Sequence, residues 1–206
     1  MIENSIAGRT DNIDNMVKHI VDNNIQGDIL DIGVFKGYSS ILVMNQLLKY
    51  NISNRNVYLY DTFEGMPEPT IDDSEKIMSL YKKNWALGTL DEVKSNINKH
   101  TKYPTDKIHY IKGMVEDTLP VHTHNQIAYV RLDTDFYSST KVELETLYDF
   151  IVPGGVLIVD DYSSKFVGCT LAVDEFFKKR GIDTSEIKPI NKKGQSGMYH
   201  IKKFNV

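Results

Sequence analysis

The chain has 206 residues, 41% of them hydrophobic and 25% charged, with a net charge of -4. That length suits a single α/β domain with a substantial core, and the mild acidity leaves no basic face to follow a nucleic-acid backbone. One cysteine, Cys169, excludes an internal disulfide; no apolar run reaches membrane-spanning length and no signal-peptide pattern opens the chain, so a cytoplasmic protein is expected.

Residues 1–10 are expected to be weakly structured. Thr10 or Asp11 then caps a helix carrying Ile13, Met16, Val17, Ile20 and Val21 on one face, ended by Asn23-Asn24 and Gly27. Asp28 to Ile32 reads as the first strand. Gly33-Val34-Phe35-Lys36-Gly37-Tyr38-Ser39 follows, then a helix from Ser40 to about Tyr50. A glycine-containing turn between strand and helix lets a ligand approach the backbone and offers free N–H groups at the helix start. Here it has neither the full G-x-G-x-x-G of dinucleotide binders nor the ending of a P-loop, and glycine at such turns also has purely steric reasons.

Asn56 to Tyr60 forms the second strand, ending in Asp61. An acid at that tip accepts hydrogen bonds from ribose hydroxyls in βαβ units, so turn and acid together favour a nucleotide-type ligand. Residues 62–69 break regular structure, and Thr70 to about Leu90 holds no clean strand. This insertion, about 62–90, with Tyr81 and Trp85, reads as a lid or substrate wall, or else as a surface helix whose aromatics pack on the body. Asp91 to about His100 is amphipathic through Val93 and Ile97. Ile108 to Ile111 is a short strand before Gly113-Met114-Val115-Glu116-Asp117.

The stretch from Val130 to Tyr162 carries the sharpest chemistry. Ala128 to Leu132 is a strand interrupted only by Arg131, and Val156 to Val159 is an uninterrupted one. Between them, Thr140 to Glu143 fits a helix-opening capping box, and Pro153-Gly154-Gly155 is expected to stop that helix and turn the chain. A right-handed crossover makes the two strands parallel, so Asp133 at the end of one and Asp160 and Asp161 at the end of the other meet at the ligand edge of the sheet. Carboxylates so close repel one another unless a cation intervenes, and hard oxygen donors suit Mg²⁺, Ca²⁺ or Mn²⁺ rather than zinc. The plainer alternative is that Asp160-Asp161 cap the next helix. That helix runs from Gly168 to about Arg180, with late strands near Ile187 to Ile190 and Gly197 to Ile201; the lysines gathered near the end read as a solvated face. The whole is one domain, 1–206.

Several of these segments resemble the macrocin O-methyltransferase family. They are Ile29-Leu30-Asp31-Ile32-Gly33-Val34 with Gly37; Asp61-Thr62-Phe63-Glu64-Gly65-Met66-Pro67; and Gly113 with Glu116-Asp117-Thr118-Leu119-Pro120. Arg131-Leu132-Asp133-Thr134-Asp135-Phe136-Tyr137 with Ser139-Thr140, Pro153-Gly154-Gly155, Asp160-Asp161-Tyr162, Gly168-Cys169 and Ala172-Val173-Asp174 continue the similarity, which covers about Gly8 to Ile201.

The resemblance implies a class I methyltransferase dependent on S-adenosylmethionine (SAM): a Rossmann-like, mostly parallel seven-stranded sheet with helices on both faces. It implies Mg²⁺ or another divalent cation, methylation of a sugar hydroxyl, and a homodimer. Asp31, Gly33, Val34, Gly37, Tyr38 and Ser39 would hold the methionine end of SAM, Asp61 its ribose, and Met114, Val115 and Glu116 its adenine. Asp133, Asp160 and Asp161 would bind the metal. Catechol O-methyltransferases place a lysine base three residues after the first aspartate; that position is Phe136 here, so Asp133 is expected to serve as ligand and base together. Lys141 and His122 are further candidates nearby.

The chain departs from the family at Thr170, Thr134 and Met114 and in a short N-terminal segment, changes that bear on the acceptor: a natural-product sugar, a glycan, or a nucleotide- or lipid-linked sugar. Competing readings are a catechol- or phenol-type O-methyltransferase, a non-catalytic SAM-fold module, and a nicotinamide-dependent dehydrogenase. The missing lysine, the intact acidic and glycine positions, and the incomplete glycine fingerprint count against them in turn.

Overall fold

The computed structural model describes residues 2–190 and 197–203, with side chains from residue 12 onward, Thr184 excepted. Helix α1 (Ile2–Asp22) opens the chain. It begins before the expected Thr10 or Asp11 because residues 2–10 contain no proline and only Gly8 disfavours a helix. Strand β1 (Asp28–Ile32) has the expected bounds, and α2 (Tyr38–Lys49) and β2 (Val57–Asp61) shift by a residue or two. The insertion contains α3 (Glu75–Leu80), and α4 (Leu90–His100) follows it, capped by Thr89. Next come β3 (Ile108–Lys112), α5 (Val115–Thr118), β4 (Ile127–Leu132), α6 (Tyr137–Leu147), β5 (Ile151–Val159), α7 (Val167–Lys179), β6 (Lys188–Pro189) and β7 (Met198–Ile201).

The strands form one seven-stranded sheet in the order β3-β2-β1-β4-β5-β7-β6. β1 to β5 run parallel, while β7 is antiparallel to both β5 and β6. Strand order reverses between β1 and β4, the position where open α/β sheets bind ligands. Alternate residues feed two cores. Ile29 packs with Met44, Leu47, Val93 and Ile97 from α2 and α4, whereas Leu30 and Ile32 pack with Leu144, Val173 and Phe177 from α6 and α7. Helices therefore cover both faces, which is why the central strands are mostly apolar, with the buried Asp31 and Arg131 as exceptions.

Two local expectations are corrected. Pro153-Gly154-Gly155 does not turn the chain. The helix ends at Leu147, a short 3-10 turn covers Tyr148–Phe150, and the Pro-Gly-Gly segment lies inside β5. It forms an irregularity there: β4 advances from Ile127 to Tyr129 while β5 advances from Ile151 to Val156. Thr140 to Glu143 is not a capping box either. Helix α6 starts three residues earlier, Phe136 offers no side-chain cap, and Thr140 and Glu143 are buried within the helix. The cap comes from the insertion, where Asp73 Oδ1 accepts the Tyr137 N–H at 3.0 Å.

Candidate active site

The tips of β1, β4 and β5 are stitched together beyond their strands. Asp133 N donates to Ile32 O and Asp160 N to Leu132 O, both at 2.9 Å. Gly33, at φ +82, sits where a Cβ would lie 2.1 Å from the Asp133 carbonyl oxygen, so only glycine lets the turn after β1 touch the end of β4. Asp61 stabilises the same turn from the other side: Oδ2 accepts the Phe35 N–H at 2.9 Å and Oδ1 the Phe63 N–H at 2.7 Å. Burial raises its pKa, and these backbone donors counter that rise.

Between this turn and the acidic strand ends lies a cleft of about 730 Å³, counting space open to solvent. Gly33, Asp61, Met114, Val115, Glu116 and Asp133 line it, while Asp160 and Asp161 lie buried outside the lining. Asp31, Val34, Gly37, Tyr38 and Ser39 do not line it either. Asp31 is 1% exposed and lies beneath the turn, where its Oδ2 accepts the hydroxyls of Ser39 at 2.7 Å and Ser40 at 2.5 Å. Val34 is buried in the core, Gly37 adopts a left-handed conformation as the N-cap of α2, and Tyr38 is 58% exposed. Lys141 reaches the Tyr137 hydroxyl on an exposed face, and the His122 ring contacts Thr118 O; neither lines the cleft.

Asp133, Asp160 and Asp161 each offer an oxygen, and these atoms lie within 4.8 Å of one another. Burial, then the neighbouring Asp133, Asp135 and Asp160, pushes the Asp161 pKa well above the carboxylate range, and its Oδ2 is buried with no hydrogen-bond partner among the described residues. An all-oxygen donor set with excess negative charge fits a hard divalent cation. One positive charge is already built in: the buried Arg131 guanidinium lies 2.5 Å from Asp133 Oδ2 and 3.4 Å from Asp160 Oδ1.

Sequence reasoning missed Asp135 as a functional group. It lines the cleft at φ +65 with its pKa raised to about 7, chiefly by burial and then by Asp133, while a hydrogen bond to Asp161 lowers it. The available signal was a second acid two residues after Asp133, in the loop beyond β4. Beneath the same loop, Thr134 Oγ1 donates to Glu143 Oε1 at 3.0 Å, and full burial pushes the Glu143 pKa up to about 8. Ser139 Oγ donates to Glu116 Oε1 at 3.1 Å. The insertion forms one wall through Thr62, Gly65, Met66, Pro67 and Ala86; Met66 N donates to Trp85 O at 2.8 Å, and the Tyr81 and Trp85 rings lie 6.5 Å apart.

The seven-stranded, mostly parallel sheet with its cleft at the switch point is the class I methyltransferase fold of the solved O-methyltransferases it superposes on. The Macrocin-O-methyltransferase (TylF) family matches residues 4–201, and the chain belongs to it. It is 33% identical over 177 residues to the 8-demethyl-8-(2,3-dimethoxy-alpha-L-rhamnosyl)-tetracenomycin-C 4'-O-methyltransferase of Streptomyces olivaceus, covering 84% of this chain and 67% of the relative. It is 32% identical over 189 residues to the demethyldecarbamoylnovobiocin O-methyltransferase of Streptomyces niveus, covering 90% and 71%. Among solved structures, the O-methyltransferase NovP superposes with a TM-score of 0.85 at 28% identity, over 96% of this chain and 80% of that one. The chain is thus a SAM-dependent O-methyltransferase. No helix among the described residues is long and apolar enough to cross a membrane.

Proposed function

We propose that this enzyme methylates a hydroxyl of a sugar, free or attached to a natural product, glycan or nucleotide, with Asp133, Asp160 and Asp161 holding Mg²⁺ or another divalent cation. The observation that carries the reading is the acidic cluster whose member Asp133 lines the cleft directly beside the Gly33 turn. The relatives' names, which include a rhamnosyl substrate, support the sugar.

Each part of the cleft has a task. The Gly33 turn admits the methionine end of SAM close to the backbone, Asp61 accepts from the ribose hydroxyls, and Met114, Val115 and Glu116 enclose the adenine. Phe35, Met66 and Pro67 exclude water from the reacting centre. Asp133, Asp160 and Asp161 would hold a divalent cation, which would supply Lewis acidity to lower the pKa of an acceptor hydroxyl. As the acceptor oxygen bonds to the methyl carbon, the sulfur–methyl bond breaks and S-adenosylhomocysteine leaves; the hydroxyl proton passes to a carboxylate of the chain. Asp133 and Asp135 both line the cleft, and Asp133 has one oxygen engaged by Arg131, so we give the base role to Asp135 instead of Asp133. The catechol mechanism has no footing here, because Phe136 fills the lysine position and is buried in the core. The same reading has the enzyme acting as a cytoplasmic homodimer, which sedimentation of the purified chain tests.

The deciding experiment is methyl transfer from labelled SAM to free, nucleotide-linked, lipid-linked and aglycone-borne sugars, with and without a chelator. Transfer to a sugar, abolished by the chelator and restored by Mg²⁺, is expected. Transfer only to catechols, or transfer indifferent to the chelator, overturns the reading. Asp135→Asn separates the two aspartates: turnover collapses while S-adenosylhomocysteine and Mn²⁺ still bind, and retained turnover returns the base role to Asp133.

A further inference from the structure

Arg131 lies on the central strand β4 between apolar neighbours and is 4% exposed. A guanidinium so placed persists only where carboxylates face it, because desolvating an unpaired charge is very costly. Three carboxylates do, from the ends of three strands. Nη1 lies 3.3 Å from Asp31 Oδ1 and 3.4 Å from Ser39 Oγ; Nη2 lies 2.5 Å from Asp133 Oδ2 and 3.4 Å from Asp160 Oδ1. The register dictates this reach, since Asp31 pairs with Arg131 across β1 and β4, and Leu132 pairs with Val159, the residue before Asp160, across β4 and β5. One end of the planar fork therefore holds the carboxylate that ties down Ser39 and Ser40 at the start of α2. The other end holds two carboxylates of the candidate cation site.

We infer that Arg131 is a positioning residue that couples the cofactor turn at residues 33–40 to the cation-binding carboxylates Asp133 and Asp160. The inference rests on the cation and cofactor sites of the proposed function. Guanidinium geometry is what the role requires: its nitrogens point in fixed, divergent directions, while a lysine ammonium is a single point charge at the end of a flexible stem. Carboxylates that hold a metal are oriented by their own hydrogen-bond partners, and losing such a partner costs about 10–100-fold in metal affinity.

The test titrates SAM-free protein with Mn²⁺, followed by electron paramagnetic resonance, and chelator-treated protein with S-adenosylhomocysteine, followed by calorimetry. Arg131→Lys, which keeps the charge and loses the fork, is expected to weaken both ligands by about tenfold or more. Arg131→Met is expected to weaken both at least as much. Should it fail to fold, Asp31→Asn carries the argument, because it cuts only the β1 end. In SAM-free protein it is expected to weaken Mn²⁺ several-fold, and adding it to Arg131→Lys should produce no further loss. A lower melting temperature with both affinities intact overturns the inference, as does tighter Mn²⁺ binding in the arginine variants or an Asp31→Asn effect confined to S-adenosylhomocysteine. Wild-type protein that binds no Mn²⁺ sinks the cation reading along with the inference; wild-type binding matched by all variants sinks the inference alone.

Discussion

Asp73 Oδ1 accepts the backbone N–H of Tyr137 at 3.0 Å, so a carboxylate from the insertion caps the helix that follows the acidic loop 64 residues later. Its Oδ2 accepts the Thr70 N–H at 2.9 Å, and the side chain is buried against Gly168, at the start of α7. The insertion is therefore fastened to the body at the N-terminus of α6. Removing the carboxylate strands two backbone donors and a helix start, a loss of about 1–3 kcal/mol. Asp73→Ala should lower the melting temperature, expose residues 62–90 to limited proteolysis and raise the acceptor KM, with S-adenosylhomocysteine affinity nearly unchanged. An unaltered proteolysis pattern would refute the fastening.

Asp61 holds two loops as well as facing the cleft, since Phe35 and Phe63 both donate to it. Asp61→Asn retains one acceptor oxygen but turns an NH2 group toward another donor. We expect at least about a tenfold loss of S-adenosylhomocysteine affinity, from weaker charged hydrogen bonds, together with about 1–3 kcal/mol lower stability. Calorimetric titration and urea denaturation check the two effects separately, and an unchanged dissociation constant removes Asp61 from the ribose site.

Asp161 belongs to the acidic cluster and is not among the carboxylates paired with Arg131, so it separates cation binding from the arginine fork, though it also bonds Asp135. Asp161→Asn should weaken Mn²⁺ by about tenfold or more and cut turnover, leaving S-adenosylhomocysteine binding intact. Loss of S-adenosylhomocysteine binding with Mn²⁺ retained would contradict the assignment.

Glu143 gives a pH signature. Its pKa rises from 4.5 to about 8, first through burial, so the folded protein holds a proton that the unfolded chain releases. Its stabilising contribution is full below the unfolded value and is lost as pH rises through the folded value, a window from 4.5 to about 8. Glu143→Gln keeps an oxygen to accept from Thr134 and has nothing to ionise. The variant should lose less stability than wild type between these limits, measured as urea midpoints at both ends; parallel pH profiles would mean Glu143 stays charged in the fold.

The centre of the sheet was legible because β1, β4 and β5 are short, mostly apolar runs followed by Gly33, Asp133 and Asp160, and β2 ends in Asp61. That pattern located Gly33, Asp61, Asp133, Asp160 and Asp161 at one edge before any contact was known. The errors arose where distant residues decide local structure. Thr140 to Glu143 has the spacing of a cap, but Asp73 supplies the real one from another part of the chain. Pro153-Gly154-Gly155 has the composition of a turn, yet Gly154 N donates to Lys202 O and Gly155 O accepts from Lys202 N, which draws it into the strand beside β7. Asp31 reads as a ligand residue in one dimension; packed beneath the turn, it pairs with a guanidinium 100 positions later. Asp135 escaped because a positive φ on a non-glycine residue leaves no mark in a hydrophobicity pattern.

The bare α-carbon of Gly33 also sets a length scale. A single added methyl would meet the Asp133 carbonyl at 2.1 Å and wedge the first and fourth strands apart where they meet. With SAM and cation bound as proposed, the turn after the first of those strands would hold the cofactor, and the end of the fourth would help hold the cation. The gap a methyl group must leap is thus gauged by an atom the chain omits, and Gly33→Ala should slow transfer even where both substrates still bind.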